Sequence, residues 1–250
     1  MPNRSGPTSR RTPDEDAASA TNAPTPSVEA LTSVTQDYLK VIWTAQEWAE
    51  VKVTTKMLAE KLGVSPSTAS ESIRKLADQG LVSHEKYGAV SLTESGQTAA
   101  IGMVRRHRLL ETFLVSELGY GWDEVHDEAE ILEHAVSDRL MARIDSKLGH
   151  PERDPHGDPI PALDGSMALP SATRLADLSV GDSGTVARIS DTDPDMLRYF
   201  HEVGVALDCV LTVVEKRPFA GTTSIEVHGG TTLDLGDIAT HAIYLDPHTT

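Results

Sequence analysis

Apolar residues recur every three to four positions through the first third of the chain, which is the spacing of one face of an α-helix. The pattern covers residues 34–50, resumes over Thr54–Gly63 and resumes again over Ser65–Gly80. Serine followed by proline, as at the start of the third run, is typical of a helix N-terminus, and glycine of a helix end. The pattern therefore predicts three short helices in succession.

A β-hairpin is predicted directly after the third helix. Two short runs, Leu81–His84 and Ala89–Leu92, flank a turn at Tyr87-Gly88. Two helices joined by a tight turn and followed by a hairpin are typical of a winged helix-turn-helix, which is a DNA-binding unit. A plain helical hairpin with serine-rich capping fits the same pattern, because three-helix units are common in proteins that never bind DNA.

Helical periodicity then continues over a long stretch. A helix is predicted over Thr93–Leu118, and its stripe of Met103, His107, Leu110 and Leu114 predicts that two such helices pack across a dimer axis.

One or two further helices are predicted over Trp122–Leu148, with a break near Ser137. Proline and glycine are frequent over His150–Leu169, which predicts a linker.

Beyond Leu175 the pattern changes to short β runs. They cover Gly184–Ile189, Val210–Glu215 and Thr223–Val227, with one helical turn near Pro194–His201. We therefore expect a small β-barrel at the C-terminus.

These patterns predict a mainly α protein with a smaller β part. The predicted units are a disordered tail (1–30, rich in Pro, Ser, Thr and Ala), a winged helix-turn-helix (31–96), a helical domain (97–150), a Pro-rich linker (151–172) and a small β-barrel (173–250).

Composition limits the function. The chain has 250 residues, a single cysteine and no secretory or membrane-spanning segment, which predicts a cytoplasmic protein without disulfides. The net charge of −16 opposes DNA binding, but residues 31–100 hold seven basic and eight acidic side chains and are nearly neutral. One segment can therefore contact DNA while the acidic remainder is partly neutralised by bound cations.

The third helix offers small hydrogen-bonding side chains on its outer face, which suits contact with a major groove. The residues expected to contact DNA are Ser65, Ser67, Thr68, Ser70 and Glu71, with Arg74, Lys75 and Lys86 on backbone phosphates.

The run from His126 to His134 concentrates metal-ligand side chains. On a helix, Glu130, Glu133 and His134 share one face, and His126 lies one turn earlier. The apolar residues between them predict partial burial, and buried carboxylates need a compensating cation. The alternative is a solvated acidic helix face with a capping histidine.

Residues 34–161 resemble the diphtheria toxin repressor family, and within it the manganese transport regulators. The matching segments are Asp37-Tyr38-Leu39, Ser65–Gly80 with Leu81-Val82, Arg106–Glu111, Val125–His134 and His156–Pro161. Residues 175–245, including Gly181–Gly184 and Leu197–Phe200, resemble the SH3-like domain of that family.

The resemblance implies two metal sites per subunit. Its primary, DNA-activating site falls on Asp37, Glu130, Glu133 and His134, and its second site on His107, Glu111 and His126. In long members the SH3-like domain adds a ligand, for which the nearest candidates here are Asp193 and Asp195, although Met196 stands where a polar ligand is expected.

The resemblance also implies a function: a transcriptional regulator that binds a palindromic operator as a homodimer, with one or two dimers per operator. Iron-responsive members carry sulfur ligands where Asp37 and Glu130 stand here, so the oxygen donors favour Mn²⁺, while Fe²⁺ is the alternative.

Three competing interpretations are an iron-dependent repressor of the same fold, a metal-dependent enzyme and a peptide-binding C-terminal module. No Glu-x-x-His pair of a di-iron bundle and no His-Glu-x-x-His motif supports the enzyme.

Overall fold

The computed structural model describes residues 28–48, 51–84, 88–228 and 230–248. Within these ranges the helices are α1 (Ser33–Glu47), α2 (Thr55–Lys61), α3 (Pro66–Asp78), α4 (Glu94–Leu118), α5 (Val125–Leu132), α6 (Asp138–Leu148), α7 (Pro194–Glu202) and α8 (Asp237–Ala242). The strands are β1 (Val82–His84), β2 (Val90–Leu92), β3 (Thr173–Arg174), β4 (Ser183–Ile189), β5 (Val210–Arg217), β6 (Thr222–Val227), β7 (Thr231–Gly236) and β8 (Ile243–Pro247). The predicted tail falls mostly on residues 1–27, outside these ranges.

Side-chain caps fix where most of the N-terminal helices begin. A hydroxyl side chain accepts a hydrogen bond from the backbone nitrogen three residues later at Thr32, Thr54, Ser65, Thr93 and Ser137. Such a cap satisfies one of the free N–H groups of the first turn and stabilises a helix by about 1 kcal/mol. The predicted helix starts at Ser65 and Thr93 and the break at Ser137 are therefore confirmed.

The N-terminal unit has the predicted winged helix-turn-helix arrangement. Its core contains the fully buried side chains of Leu39, Ile42 and Ile73. The hairpin of β1 and β2 is antiparallel, with Val82 opposite Leu92, and it follows α3 directly. The hairpin tip, including Tyr87 and the predicted DNA contact Lys86, lies outside the described residues.

The predicted dimer stripe on α4 is wrong as a surface between subunits. Met103, Leu110 and Leu114 are buried inside their own chain, where α4 packs on α1, α5 and α6. Their burial follows from the length of α4: its N-terminal part packs in the core of the N-terminal unit, and its C-terminal part packs on α5 and α6.

The predicted linker is not a free connection over its whole length. The side chains of Asp154, His156, Asp158 and Ile160 are at most 6% exposed. This stretch is a folded loop that packs between the helices and the C-terminal unit, because its acidic and imidazole groups find partners there.

The C-terminal unit is a six-stranded antiparallel sheet in the order β3-β8-β4-β5-β6-β7. Its core includes Leu175, Ile189, Leu197 and Phe200. The three predicted strands and the helical turn at α7 are confirmed. Within the part of the chain that the structure describes, the two edge strands β3 and β7 do not pair with each other. The expected closed barrel is therefore an open sheet.

None of the described helices is both long enough and apolar enough to cross a membrane.

Candidate metal centre and nucleic-acid interface

The four residues of the predicted primary site converge in space. Ligand atoms of Asp37, Glu130, Glu133 and His134 all lie within 4.8 Å of one another. Asp37 comes from α1 and Glu130 from α5. Because α5 ends at Leu132, Glu133 and His134 lie in the turn after it. The prediction that one helix carries all three ligands is therefore wrong, while the convergence that it implied is found.

The imidazole of His134 is oriented by Gln36. The amide nitrogen of Gln36 donates to the backbone oxygens of Val28 (2.7 Å) and Leu31 (3.2 Å), so its oxygen faces Nδ1 of His134 at 2.6 Å. Nδ1 must then donate, which leaves Nε2 as the ring nitrogen that faces the site. This Nε2 lies 2.9 Å from Oδ1 of Asp37. A cation held there would be bound by the nitrogen and the carboxylate together.

A lysine is part of the same site. Nζ of Lys40 lies 2.5 Å from a carboxylate oxygen of Glu130 and 2.5 Å from one of Glu133. Burial alone would lower the pKa of Lys40, but the charges of Glu133 and Glu130 outweigh it and raise that pKa. Lys40 therefore carries a permanent positive charge among the candidate ligands.

The predicted second site also assembles. His107 and Glu111 lie one turn apart on α4, with Nε2 of His107 2.9 Å from Oε1 of Glu111. His126 of α5 completes the group, and its Nδ1 lies 3.3 Å from the same oxygen. Glu111 is 1% exposed and His107 7%, so this is a largely buried cluster.

The electrostatics of this cluster depend on its carboxylates. Burial alone would lower the pKa of His107, but Glu111 and Glu133 outweigh it and raise the pKa to about 9. Hydrogen bonds with Asp191 and Glu111 raise the pKa of His126 to about 10. Both imidazoles are therefore protonated at neutral pH until something displaces their protons.

The structure adds two residues that the sequence did not single out as ligands. Glu111, His156 and Asp191 form a third group whose ligand atoms lie within 4.8 Å of one another. Asp191 follows β4 in the C-terminal unit and reaches α5, with Oδ2 3.3 Å from Nδ1 of His126.

The predicted ligand Asp193 is instead the N-cap of α7. Its Oδ1 accepts hydrogen bonds from the backbone nitrogens of Asp195 and Met196. Asp195 pairs with Arg198. The sequence signal was present, because two aspartates stand just before the proline of α7, but only the approach of β4 to the helices decides which one reaches the site.

His156 is buried with an unused nitrogen. Its Nε2 donates to the backbone oxygen of Trp122 at 2.6 Å, since a carbonyl can only accept. Its Nδ1 has no hydrogen-bond partner among the described residues and lies 3.9 Å from Oε2 of Glu111. A fully buried, unpartnered nitrogen beside two carboxylates fits a divalent cation.

Negative charge is crowded at the same place. Burial and the nearby carboxylates of Asp158 and Glu111 raise the pKa of Asp154 well above its ordinary value. Asp37 and Glu130 of the primary site, the three residues of the predicted second site and these acidic groups line one cavity of about 530 Å³. Hard oxygen donors with a few imidazoles suit Mn²⁺ and similar cations, and the described candidate ligands contain no sulfur.

The predicted DNA-reading residues of α3 form an exposed face. All seven that the structure describes are exposed: Ser65, Ser67, Thr68, Ser70, Glu71, Arg74 and Lys75. The four serine and threonine side chains are small enough for this face to approach a groove, and Arg74 and Lys75 add positive charge. Ser65 is also the N-cap of α3, and Glu71 pairs with Lys75 at 2.9 Å, so these residues have structural roles as well.

Comparison with known families decides the identity. The model "Iron dependent repressor, N-terminal DNA binding domain" matches residues 30–90, "Iron dependent repressor, metal binding and dimerisation domain" matches residues 93–162, and "FeoA domain" matches residues 173–247. The chain belongs to the diphtheria toxin repressor family. It is a metal-dependent transcriptional repressor with a DNA-binding and a dimerisation domain, in a family of transcriptional repressors.

Named relatives match most of this chain. The iron-dependent repressor IdeR of Mycobacterium tuberculosis is 31% identical over 228 residues, which cover 86% of this chain and 98% of that protein. A solved structure titled "Manganese-dependent transcriptional repressor complex with manganese" is 66% identical, has a TM-score of 0.81 and is matched over 98% of its length and 84% of this chain. The manganese regulator SloR is 34% identical with a TM-score of 0.71, over 86% of this chain and 98% of its own.

Proposed function

We propose that the protein is a Mn²⁺-activated repressor with two cation sites in each subunit. The observation that carries this proposal is the convergence of Asp37, on the first helix of the DNA-binding domain, with three ligands of the helical domain. A cation bound by residues of both domains would fix their relative position, and with it the position of α3 on DNA.

The primary site would use Asp37, Glu130, Glu133 and His134. Its three carboxylates carry three negative charges, of which Lys40 offsets one. A divalent cation supplies the two remaining positive charges. Gln36 holds His134 with Nε2 facing the site, and α1 is drawn to the turn after α5. The DNA-binding domain then has one orientation instead of several, which lowers the entropic penalty of binding two half-sites.

The second site would use His107, Glu111 and His126 with the added residues His156 and Asp191. The unpartnered Nδ1 of His156 supports this larger set. Asp191 comes from the C-terminal sheet, so a cation there would also fasten the FeoA-like domain to the helices. Asp193, which the sequence favoured, is not part of this set.

The donor chemistry favours Mn²⁺. The primary set has oxygen donors and one imidazole, and such hard ligands suit Mn²⁺ better than thiolate or thioether ligands do. The 66% identity to a manganese-dependent repressor points the same way. An Fe²⁺-dependent repressor is the second candidate, because Fe²⁺ binds most nitrogen and oxygen sites more tightly than Mn²⁺ and the IdeR relatives are iron-dependent.

The partners would be a palindromic double-stranded operator and a second copy of the chain. A C2 dimer presents two recognition helices to two half-sites about one helical turn apart. One or two dimers per operator are both compatible with this geometry. The α3 face, together with Lys86 of the hairpin tip, would contact the operator, and bound cations would reduce the repulsion from the acidic remainder.

The test is capture of genomic DNA fragments by the purified protein in chelator, in Mn²⁺ and in anaerobic Fe²⁺. We expect enrichment of a few palindromic fragments with Mn²⁺ and none in chelator. The variant Asp37→Ala should lose this enrichment, while Asp127→Asn, an exposed carboxylate on α5 outside the cluster, should retain it. Equal enrichment with both metals leaves the choice to cellular supply, and no enrichment in any condition contradicts the proposal.

A further inference from the structure

Residues 153–159 form a compact loop, here named the bridging loop, between the helices and the C-terminal sheet. Arg153 pairs with Pro159 as an isolated β-bridge, and the backbone nitrogen of Asp154 donates to the oxygen of Asp158 at 3.0 Å. The Asp154 carboxylate also accepts from the backbone nitrogens of His156 and Asp158, at 2.9 Å each. The loop is therefore closed on itself by its own hydrogen bonds.

One side of the bridging loop faces the second metal site. His156 points its free Nδ1 towards Glu111 and Asp191. The backbone oxygen of His156 accepts a hydrogen bond from the nitrogen of Ile189 at 2.9 Å, which joins the loop to β4. A Cβ at Gly157 would lie 2.1 Å from the backbone oxygen of Ala187, so the loop touches this strand without any gap.

The other side of the bridging loop holds the end of α1. Oδ1 of Asp158 accepts from Nε1 of Trp48 at 2.8 Å and from Nε of Arg188 at 2.7 Å. Trp48 is the residue that ends α1, and the guanidinium of Arg188 lies 4.7 Å from the centre of its ring. One carboxylate thus joins the DNA-binding domain to the C-terminal sheet.

Arg108 of α4 joins the end of α1 to the bridging loop. Its guanidinium donates to both carboxylate oxygens of Glu47, at 2.9 and 2.6 Å, and to the backbone oxygen of Pro159 at 2.7 Å. Arg108, Asp158 and Arg188 are each at most 8% exposed. Buried charges are stable only when their partners stay in place. A shift of the bridging loop would therefore have to move α1 with it, because otherwise these ion pairs would break.

We infer that the bridging loop couples occupancy of the second metal site to the position of α1, with Asp158 and Trp48 as positioning residues for the DNA-binding domain. This inference rests on the proposed second site. A cation bound to His156 fixes one side of the loop, and the other side then holds the C-terminal end of the helix that carries Asp37. The second site thereby supports the primary site from the opposite end of α1.

The experiment isolates the second site with His134→Ala, which removes a primary ligand and leaves the second set intact. Hydrogen exchange of amides 42–48 is measured on this full-length parent with and without Mn²⁺, beside calorimetric titration with the same ion. We expect Mn²⁺ to slow exchange of this segment at least about fivefold, the lower end of coupling between sites.

The discriminating variant is Trp48→Phe in the same parent, because it removes the indole N–H that donates to Asp158 and keeps an aromatic ring, although a smaller one. We expect Mn²⁺ still to bind while the slowing of exchange falls below about twofold. Arg153→Ala is the matched control: it lies on the same loop, but it pairs with exposed Asp208 and should behave as the parent does.

Two results would overturn the coupling alone: calorimetric binding without slowed exchange in the parent, or equal slowing in Trp48→Phe. Absence of any calorimetric binding to the parent would overturn both the coupling and the second site. The primary site is then judged separately, by DNA capture with the unmodified chain.

Discussion

Nδ1 of His107 lies 2.6 Å from Oε2 of Glu133, so a residue of the second metal set directly contacts a residue of the primary set. The other carboxylate oxygen of Glu133 contacts Nζ of Lys40 at 2.5 Å. Glu133 is completely buried. The two sites are therefore neighbours, because the primary-site residue Glu133 also contacts His107 of the second site, and their occupancies should depend on each other.

The first prediction concerns this carboxylate. Glu133→Gln removes a primary ligand and also the acceptor that orients His107, so both sites should lose Mn²⁺ affinity. We expect at least about a tenfold loss at the second site, as for other groups that orient a metal ligand, and a larger loss at the primary site. Calorimetric titration measures both. Asp127→Asn is the control, and a variant that loses only one binding event would show that the sites are independent.

The second prediction concerns Lys40. Lys40→Met leaves the carboxylates of Glu130 and Glu133 without their cation, so the metal-free protein should lose about 3 kcal/mol of stability. This is the lower end for a broken buried pair, because the side chain of Glu130 is 38% exposed. The stabilisation by Mn²⁺ should increase, since an ammonium no longer repels the ion. Urea unfolding in chelator and in Mn²⁺ checks both, with the exposed Lys56→Met as control. Equal metal-free stability would contradict the role of Lys40.

The third prediction compares two aspartates that are two residues apart. Asp191→Asn should lower second-site Mn²⁺ affinity about tenfold or more, and it should lower primary-site affinity less, because it removes no primary ligand. Asp193→Asn should leave metal affinity unchanged and alter stability by no more than about 1 kcal/mol, because Asp193 caps α7. Titration of both variants in parallel checks the assignment, and the opposite ranking would restore Asp193 as the ligand.

The fourth prediction is a pH dependence of the metal-free protein. The pKa of His107 is raised to about 9 and that of His126 to about 10, from 6.5 for an ordinary histidine. Because the folded-state values are the higher ones, their contribution to stability is complete below pH 6.5 and is lost as the pH rises through 9 to 10. Urea midpoints in chelator should therefore fall across this window.

The affinity for Mn²⁺ should have the opposite pH dependence to the metal-free stability. Mn²⁺ competes with protons for the same nitrogens, so its binding releases protons and its apparent affinity rises with pH. His126→Gln should reduce the alkaline loss of metal-free stability, whereas His201→Gln, on the exposed face of α7, should not change it. A midpoint that is flat from neutral pH to pH 10 would contradict the protonated state of these histidines.

The sequence by itself determined the local structure and most of the ligand set. Hydroxyl caps at Ser65, Thr93 and Ser137 fixed where helices start, because the interactions involved span only three residues. The i,i+4 spacing of His107 and Glu111 predicted their contact for the same reason. The resemblance to the family then assigned Asp37, distant in sequence, to the primary site.

Only the tertiary structure decided what depends on how the domains pack. Asp191 and Asp193 differ little as sequence, and the approach of β4 to α5 selects Asp191. The apolar stripe on α4 fits a dimer interface and the core of one subunit equally well, and packing places Met103 and Leu114 inside the subunit. The proline-containing segment after α6 read as a linker, because proline and glycine mark irregular backbone without showing whether it is buried. Its burial arises from the charges of Arg108, Arg188 and Asp158, which come from three distant parts of the chain and meet only in the folded protein.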